Sequence, residues 1–518
     1  MVRGRPAQLT LAGLLVGCLL IEGCTHGRPT RRGDIGGATR TEAVNSRAVT
    51  TPVREARSAP VRGSERWRLS RPARRGQIEG YATTSSGLPG ARVELRVSTA
   101  ARSFRVRAYR IGAYAGGDGR LVWGSRWLPG LRQREPSFSD AEQRTVVARW
   151  RRSAVLDTAG WSPGLYVFKL RTRSGWQAHV PYVVSSPSSA GRVALVAPVT
   201  TWQAYNDWGG YSLYKAPSGD RRSWTVSLDR PYPAPGAGEM QFGAVPVVLA
   251  AERLGIPLAY FTNIDVDLRA DALAGARGYV SMGHDEYWTP RMRDRVRAAR
   301  DAGTNLAFLG ANTMYWRIRL RGAGGRPGRL VTGYRSDAHL DPAPRRVRTS
   351  LWRASPDAEP ENALTGMRYE CFPVDAPWRV ESPGWWGYAG TRTRAGEEHD
   401  HLVGIEADRV YPVKGTPRPL QVLAHVAYSC RGLATSAQAV YYTTESGAGV
   451  VNVGTLRWTC ALVDRCPVEL SRRTVGFVNR VTANVLRAFA AGPVGRRHPA
   501  RDNVGRFHLP TQNLVPAS

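Results

Sequence analysis

Polar side chains follow four apolar runs of the sequence, at the points where each run predicts the end of a buried strand. Tyr205 follows the first run, residues 262–265 follow the second, His284 and Glu286 follow the third, and Asn312 follows the fourth. In open α/β sheets the ligand crevice lies outside the carboxyl ends of the strands. We therefore expect phenol, carboxylate, imidazole and amide groups to converge at one sheet edge, as they do in binding and catalytic sites.

Each of these side chains also has a purely structural explanation. Tyr205 and Trp208 can cover the top of the sheet, and His284 can be a loop histidine whose hydrogen bonds are satisfied. Glu286 can interact with the N-terminus of the helix that is predicted to begin near Thr289. The joint occurrence of these residue types at neighbouring strand ends favours a site over the separate explanations.

The elements that must position these residues alternate between strands and helices. Buried strands are predicted at residues 192–197, 257–261, 278–282 and 306–309. Helices are predicted at residues 242–254, 289–303 and 472–490, and the second has a suitable cap in Thr289 and a suitable end in Gly303. The alternation predicts a parallel, doubly wound α/β sheet of the Rossmann or glutamine-amidotransferase type, with helices on both faces.

The segments on either side of this domain have a different composition. Short alternating runs separated by Gly and Pro predict a β-sandwich over residues 77–186. The α/β domain is expected to occupy residues 190–492, and residues 493–518 are expected to form a flexible tail. Residues 25–76 are rich in Arg, Thr, Ser, Gly and Pro without a hydrophobic period, which predicts a disordered stalk.

The N-terminal residues 1–24 predict an export signal. Two arginines precede an apolar run, residues 9–21, that is too short to span a bilayer. Gly23 before Cys24 indicates a lipoprotein cleavage site, with Cys24 as the lipidated residue; Cys18 is an earlier candidate, and an ordinary secretory signal is the alternative. We therefore expect a cell-surface lipoprotein or a secreted protein, attached to a membrane only through a lipid.

Export also decides how the other four cysteines are interpreted. Cys371, Cys430, Cys460 and Cys466 form an even set in the last third of the chain. In an oxidising compartment two disulfides are expected rather than a metal cluster. Three pairings are open, and we expect Cys460 to pair with Cys466 in a short loop.

The chain is strongly basic, with 73 Lys and Arg against 41 Asp and Glu and a net charge of +32. Such a charge attracts polyanions. The positive charge is not gathered into one stripe, and no recognised nucleic-acid module accompanies it. Lysine occurs only at positions 169, 215 and 414, so the arginine excess indicates codon bias, and nucleic acid is not the expected main partner.

Several longer motifs resemble the large (beta) subunit of N,N-dimethylformamidase and its relatives. In the α/β domain these motifs lie at residues 201–210, 212–214, 283–288, 303–312, 315–317, 402–408 and 451–458. In the sandwich, residues 109–114 are similar as well. The resemblance covers roughly residues 78–490, which includes both predicted folded domains but neither the signal nor the stalk.

The resemblance implies a mononuclear Fe³⁺ centre that is held by two tyrosines and one glutamate, with a histidine and an asparagine needed for amide hydrolysis. Carried over motif by motif, the second tyrosine corresponds to Tyr205 and the glutamate to Glu286. The histidine corresponds to His284 and the asparagine to Asn312. The first tyrosine corresponds best to Tyr166 in the sandwich, and the alternative is Tyr182.

This ligand set is chemically consistent. Phenolate and carboxylate are hard oxygen donors that suit a trivalent ion, and a metal can ionise a tyrosine. Three protein ligands leave positions open, where an amide carbonyl would be polarised and a water would lose its proton more readily. His284 would then carry a proton to the departing amine, and Asn312 would hydrogen-bond the developing oxyanion or orient the water.

The sequence also departs from the enzyme that it resembles. That enzyme is cytoplasmic and has a small partner subunit, whereas this chain carries an export signal and contains no counterpart of the small subunit. A retained ligand set preserves a mechanism more readily than a pocket, so dimethylformamide is not the expected substrate. We expect a small linear amide or a peptide-like or sugar-linked amide, and a homo-oligomer remains open.

Three other interpretations remain. The sandwich is a common lectin architecture, and four tryptophans could stack on sugars in a carbohydrate-binding or glycan-processing protein: Trp161, Trp176, Trp202 and Trp208. The second interpretation is a further metal site at residues 397–401, which are rich in metal-ligating residue types. Their adjacent spacing gives no fixed ligand geometry and favours a solvated loop instead. The third interpretation is a catalytically inactive envelope scaffold.

Overall fold

The computed structural model describes residues 61–354 and 358–513. The predicted signal, including Cys18 and Cys24, and the first part of the predicted stalk lie outside these residues. The described chain is a mixed α/β structure in which many strands form several sheets and helices are few. Within it, no helix combines the length and the apolar character that crossing a bilayer requires.

Eleven strands form the first half of the structure. They are β1 (Glu79–Ala82), β2 (Ser86–Gly87), β3 (Arg92–Ser98), β4 (Ser103–Tyr114), β5 (Gly117–Gly124), β6 (Leu128–Pro129), β7 (Ser137–Asp140), β8 (Thr145–Val147), β9 (Ala154–Asp157), β10 (Gly164–Thr172) and β11 (Gln177–Val184). One sheet has the order β1-β3-β9, and the other has the order β2-β11-β10-β4-β5 with β6 paired to β4. Alternate side chains such as Leu95 and Val106 meet in one apolar core, so the two sheets form a β-sandwich.

The second half contains the helices. Its strands are β12 (Val193–Ala197), β13 (Thr225–Ser227), β14 (Leu258–Thr262), β15 (Gly278–Ser281), β16 (Tyr287–Trp288), β17 (Asn305–Phe308), β18 (Trp316–Arg317), β19 (Arg319–Ala323), β20 (Arg326–Thr332), β21 (Arg368–Arg379), β22 (Glu398–Arg409), β23 (Leu420–Cys430), β24 (Leu433–Thr443) and β25 (Gly449–Asn452). Its helices are α1 (Val199–Tyr205), α2 (Val245–Glu252), α3 (Asn263–Leu268), α4 (Pro290–Asp301), α5 (Asn362–Thr365), α6 (Arg457–Ala461) and α7 (Arg472–Ala490).

Seven of these strands form the central sheet, in the order β14-β12-β15-β17-β25-β24-β23. The first five strands run parallel to one another, β24 pairs antiparallel with β25, and β23 pairs antiparallel with β24. The four predicted strands correspond to β12, β14, β15 and β17, each within one residue of its predicted bounds. The carboxyl ends of these four strands therefore lie at the same edge of the sheet.

Apolar side chains cover both faces of the sheet because those of each strand point alternately to two cores. In β12, Leu195 belongs to the core that includes residues of α2 and α7, whereas Val196 belongs to the core that includes residues of α3 and α4. Burial on both faces explains the continuous apolar runs in the sequence. Helix α4 begins as predicted, because the Thr289 hydroxyl accepts a hydrogen bond from the Met292 N–H at 3.1 Å.

Two segments that the sequence predicts as disordered or flexible are packed where they are described. Within the predicted stalk, residues 61–76 lie along the sandwich, and Trp67 is fully buried because it reaches an apolar core. Within the predicted tail, Val494 and Val504 are buried, and the Arg409 guanidinium donates to the main-chain oxygens of Pro510 and Gln512 at 3.0 and 2.7 Å. Isolated buried apolar residues thus anchor each of these polar segments to the folded part of the chain.

Two disulfides are formed within the described residues 61–354 and 358–513. Cys460 pairs with Cys466, as predicted, and Cys371 pairs with Cys430. The second bridge joins β21 to the end of β23 and so ties the two-stranded β21–β22 sheet to the central sheet.

Candidate functional site

The carboxyl end of β12 leads directly into α1, whose last residue is Tyr205. Two threonines of α1 hold the segment that follows β15 against this helix. The Thr200 hydroxyl donates to the main-chain oxygen of Tyr287 at 2.7 Å, and the Thr201 hydroxyl accepts from the N–H groups of Glu286 and Tyr287 at 3.0 and 3.3 Å. The position of Glu286 relative to Tyr205 is thus fixed by main-chain hydrogen bonds.

The carboxylate of Glu286 is the centre of the site. It is only 2% exposed, and the Tyr205 hydroxyl donates to its Oε2 at 2.8 Å. The Tyr214 hydroxyl donates to Oε1 at 2.7 Å and to Oε2 at 2.9 Å, and it accepts from the Tyr287 hydroxyl at 2.7 Å. The rings of Tyr205 and Tyr214 stack with their centroids 4.3 Å apart. The oxygen atoms of two partly buried phenols and one buried carboxylate therefore form one cluster.

Burial dominates the electrostatics of this set. Burial and the negative charge of Glu286 hold the pKa values of Tyr205 and Tyr214 well above that of a free phenol. Burial also raises the pKa of Glu286, against the opposing charge of His284. Arg335 lies over the Tyr214 ring, with its guanidinium carbon 3.8 Å from the centroid. A bound cation would have to displace the phenol protons, and its charge would supply the energy to do so.

His284 lies between two carboxylates. Its Nε2 is 3.5 Å from an oxygen of Glu286 and 3.3 Å from an oxygen of Glu406. These are ionic contacts, because neither His284 Nε2 nor Glu406 Oε2 has an aligned hydrogen-bond partner in the described part of the chain. Burial disfavours the charged imidazole, but Glu406 and Glu286 outweigh burial and raise the pKa of His284 to about 10.

Asn312 lies in the segment that follows β17, beside the segment that carries Glu286. The Trp316 N–H donates to the main-chain oxygen of Glu286 at 2.9 Å. The Asn312 N–H donates to Asp408 at 2.7 Å, and its backbone is left-handed with a φ of 57°. Its side-chain oxygen is buried without a hydrogen-bond partner among the described residues. A strained backbone and an unsatisfied amide are features that concentrate at functional sites.

The structure therefore brings Tyr205, His284 and Glu286 together and places Asn312 in the adjoining segment. It does not bring Tyr166 to this site. The Tyr166 hydroxyl donates to the main-chain oxygen of Ser162 at 2.7 Å, and its ring stacks on Trp161 inside the sandwich core. Tyr182, the alternative, lies in the same core.

Two residues of the site were missed as candidates in the sequence. Tyr214 lies in an irregular segment after α1, and Glu406 lies in β22, which pairs with β21 outside the central sheet. Neither follows a predicted strand end. The available signal was their position within the motifs at residues 212–214 and 402–408, which carry the family resemblance.

The carbohydrate-binding and second-metal interpretations depend on four tryptophans and on residues 397–401. Trp161, Trp202 and Trp208 are buried and offer no open face to a sugar ring, whereas Trp176 is partly buried and has the Arg71 guanidinium 4.0 Å from its ring centroid. Residues 398–401 form the beginning of β22, so this run is a strand and not the solvated loop that its spacing favoured. His399 is buried, whereas His401, two residues further along β22, is exposed beside Asp375, because the strand is irregular there and His401 has a φ of 60°.

The donor chemistry of the site fits a hard cation. Among the described residues, no three His, Cys, Asp or Glu side chains are grouped to hold a metal. The donors at Glu286 are instead one carboxylate and two phenols, and hard oxygen donors favour hard cations. The unsatisfied atoms of His284, Glu406 and Asn312 border this set or its neighbouring segments and remain free to contact a ligand.

The fold and site together define a mixed α/β protein with a buried phenol and carboxylate centre at the carboxyl edge of its central sheet. Residues 105–468, well over half of the chain, match the family described as N,N-dimethylformamidase beta subunit-like, C-terminal. The chain therefore belongs to the N,N-dimethylformamidase beta subunit-like family.

No curated protein sequence matches the chain. Among solved structures, a Paenibacillus cycloisomaltooligosaccharide glucanotransferase in complex with cycloisomaltoheptaose matches with 10% sequence identity and a TM-score of 0.14. The match covers 47% of this chain and 29% of that enzyme, so the chain spans less than a third of the enzyme's length.

Proposed function

We propose that the protein is an exported, metal-dependent hydrolase that cleaves a C–N amide bond, with a mononuclear Fe³⁺ ion as cofactor. The observation that carries this proposal is the convergence of the Tyr205 and Tyr214 hydroxyls on the buried carboxylate of Glu286. Family membership supports the same class of reaction. In this proposal Tyr214 takes the place that the sequence analysis gave to Tyr166.

Tyr205, Tyr214 and Glu286 would hold the ion through three oxygen donors. When bound, a ferric ion supplies Lewis acidity, which polarises an amide carbonyl. Thr201 keeps the Glu286 main chain in place, and Arg335 over the Tyr214 ring favours the ionised phenol. The three donor side chains thus supply the negative charge, and Thr201 and Arg335 hold these donors in position.

The remaining residues would manage protons and the substrate. His284, held between Glu286 and Glu406, keeps a proton on its imidazole that it can donate to the departing amine. The Asn312 side-chain NH2 group can donate to the oxygen on which charge develops, and the unpartnered Oδ1 shows that the protein does not hold this amide through its acceptor. Burial excludes bulk water and strengthens each of these interactions.

Iron analysis and an absorption spectrum test this proposal. The protein beginning after Cys24 should bind iron close to one equivalent and show a broad visible band from phenolate-to-iron charge transfer. Glu286→Gln should lose both. Glu252→Gln is the matched control, because Glu252 also accepts from a tyrosine, Tyr260, at 2.6 Å but is paired with Arg110. Retention of iron and the band by Glu286→Gln would refute the site.

Several finer features belong to the same proposal. We propose that the parallel strands form a doubly wound core of the Rossmann or glutamine-amidotransferase type, which the helices on both faces support. We also propose a small linear amide as substrate and surface attachment through a lipid on Cys24. The family takes its description from the subunit of an enzyme, so self-association or a separate partner is consistent with it.

A further inference from the structure

A cleft of about 860 Å³ opens on the sandwich and shares no lining residue with the Glu286 site. Its floor is formed by β4 and β10, and one wall is the segment of residues 64–70. Six cationic side chains line it, which are Arg66, Arg68, Arg105, Arg107, Lys169 and Arg171. The single carboxylate in the lining is Glu65. The cleft therefore combines a concave shape with a large excess of positive charge.

The floor of the cleft places like charges directly opposite one another. In the antiparallel pairing of β4 and β10, Lys169 is the partner of Arg107, and Arg171 is the partner of Arg105. Like charges at directly opposed positions destabilise a sheet. Burial and the charges of Arg171 and Arg107 lower the pKa of Lys169 to about 8. The sheet thus carries an electrostatic cost that an anion in the cleft would offset.

Most of this charge is not neutralised by the protein. Among the described residues, no carboxylate forms an ion pair with Arg66, Arg105, Arg107 or Arg171, although ion pairs are frequent elsewhere in the chain. The Nε atoms of Arg105 and Arg171 are buried without an acceptor. Glu65 is already engaged by Arg68 and by the Asp118 N–H, the latter at 2.8 Å.

Lys169 links the wall to the floor. Its ammonium donates to the main-chain oxygens of Arg66, at 2.9 Å, and Arg68. Lys169 is buried, so its charge lies beneath the cleft, while its two hydrogen bonds fix the wall. The cleft is therefore built by specific contacts, and it is not a chance meeting of flexible surface arginines.

We propose that this cleft binds a small ligand that carries two or more phosphate groups. Guanidinium groups match phosphate oxygens with paired donors. The Arg107–Lys169 pair and the Arg105–Arg171 pair are two residues apart along each strand, or about 6.6 Å. This separation between the two cation pairs suits two phosphates rather than one. The volume is that of a small-molecule site. A nucleic-acid strand would require a longer basic groove with several stacking aromatics, and the lining contains one, Tyr109.

Calorimetric titration of the full chain with inorganic tripolyphosphate, orthophosphate and a 20-nucleotide oligothymidylate tests this proposal. Tripolyphosphate should bind at least about tenfold more tightly than orthophosphate, because each additional charged contact contributes at least that much. The double variant R107A/R171A should weaken tripolyphosphate binding at least about tenfold. Without ligand its Tm should be unchanged or higher, because two like-charge contacts are removed.

The matched control is R149A/R151A, which removes the same charge from two exposed arginines of the sandwich. It should retain tripolyphosphate binding. An equal loss in both double variants would show unspecific attraction and overturn the proposal. Absence of tripolyphosphate binding would overturn it, and so would oligothymidylate binding that matches tripolyphosphate and depends on Arg107 and Arg171.

Discussion

The Tyr214 hydroxyl donates to both carboxylate oxygens of Glu286, at 2.7 and 2.9 Å. Tyr166, which the family resemblance indicated for the same role, donates instead to the main-chain oxygen of Ser162. A phenol can serve as a ligand beside Glu286 only if its oxygen reaches the carboxylate. The geometry therefore favours Tyr214 as the partner of Tyr205 in the proposed metal site.

Tyr214→Phe and Tyr166→Phe should separate these two assignments. We expect Tyr214→Phe to reduce iron affinity at least about tenfold and to shift or remove the visible band, since even changes outside the ligand set cost 10–100-fold. Tyr166→Phe should leave both unchanged, because its hydroxyl lies in the sandwich. Metal analysis and absorption spectra measure the difference. A normal spectrum in Tyr214→Phe would exclude that tyrosine as a ligand.

Strand periodicity explains why Tyr166 lies in the sandwich core and not beside Glu286. Side chains of a strand alternate between its two faces. In β10, Leu165 and Val167 face the core shared with the α/β part, whereas Tyr166 and Phe168 face the sandwich core. The apolar neighbours of Tyr166 already indicate a strand buried on both faces. A tyrosine in such a strand is more readily a core residue than a ligand of a distant sheet edge.

Thr201 positions Glu286 through the main chain, so its hydroxyl should matter for the site without touching a ligand. Thr201→Val leaves the N–H groups of Glu286 and Tyr287 without their acceptor in a buried environment. We expect the free energy of unfolding to fall by about 2 kcal/mol and the iron affinity to fall with it. Thr201→Ser keeps the oxygen and should behave like the original protein in denaturant unfolding and iron titration. Equal unfolding free energies and iron affinities in Thr201→Val and Thr201→Ser would contradict this role.

The sequence predicted the frame of the site better than its complete lining. His284, Glu286 and Asn312 were predictable because each follows a buried strand, and parallel strands bring such positions to one edge. Tyr214 and Glu406 were not, because an irregular segment and the β21–β22 sheet bring them there. Tertiary packing of this kind leaves no local period in the sequence.

His179 should make the stability of the protein depend on pH. It is 2% exposed, its Nε2 donates to the Trp67 main-chain oxygen at 2.8 Å, and burial lowers its pKa to about 4. An unfolded histidine titrates near pH 6.5. Between about pH 4 and 6.5 the unfolded chain therefore binds a proton that the folded chain does not, so stability rises with pH through this window.

Urea unfolding at several pH values measures this contribution. The shift corresponds to about 3 kcal/mol that is present above pH 6.5 and is lost as the pH falls toward 4. His179→Gln retains a donor for Trp67 and should flatten the pH dependence. His339→Gln, at an exposed position, should not change it. The same slope in all three proteins would refute the assignment to His179.

The two disulfides should contribute unequally because they close loops of different length. Cys371 and Cys430 are 59 residues apart, whereas Cys460 and Cys466 are 6 residues apart. By loop-closure entropy, removal should cost about 4 kcal/mol for the first pair and about 2 kcal/mol for the second. The first bridge also fixes the β21–β22 sheet that carries Glu406. We therefore expect Cys371→Ala with Cys430→Ala to lower both the Tm and the iron affinity.

Thermal unfolding and iron titration of the two double-alanine variants, with peptide mapping of the original protein to verify both bridges, measure these effects. Loss of the Cys460–Cys466 bridge should lower the Tm less and should leave iron binding closer to normal, because it closes a short loop at α6 and does not cross-link the β21–β22 sheet to the central sheet. Equal losses of stability would contradict the loop-length argument. Unchanged iron affinity in the Cys371 and Cys430 variant would show that β22 keeps its position without the bridge.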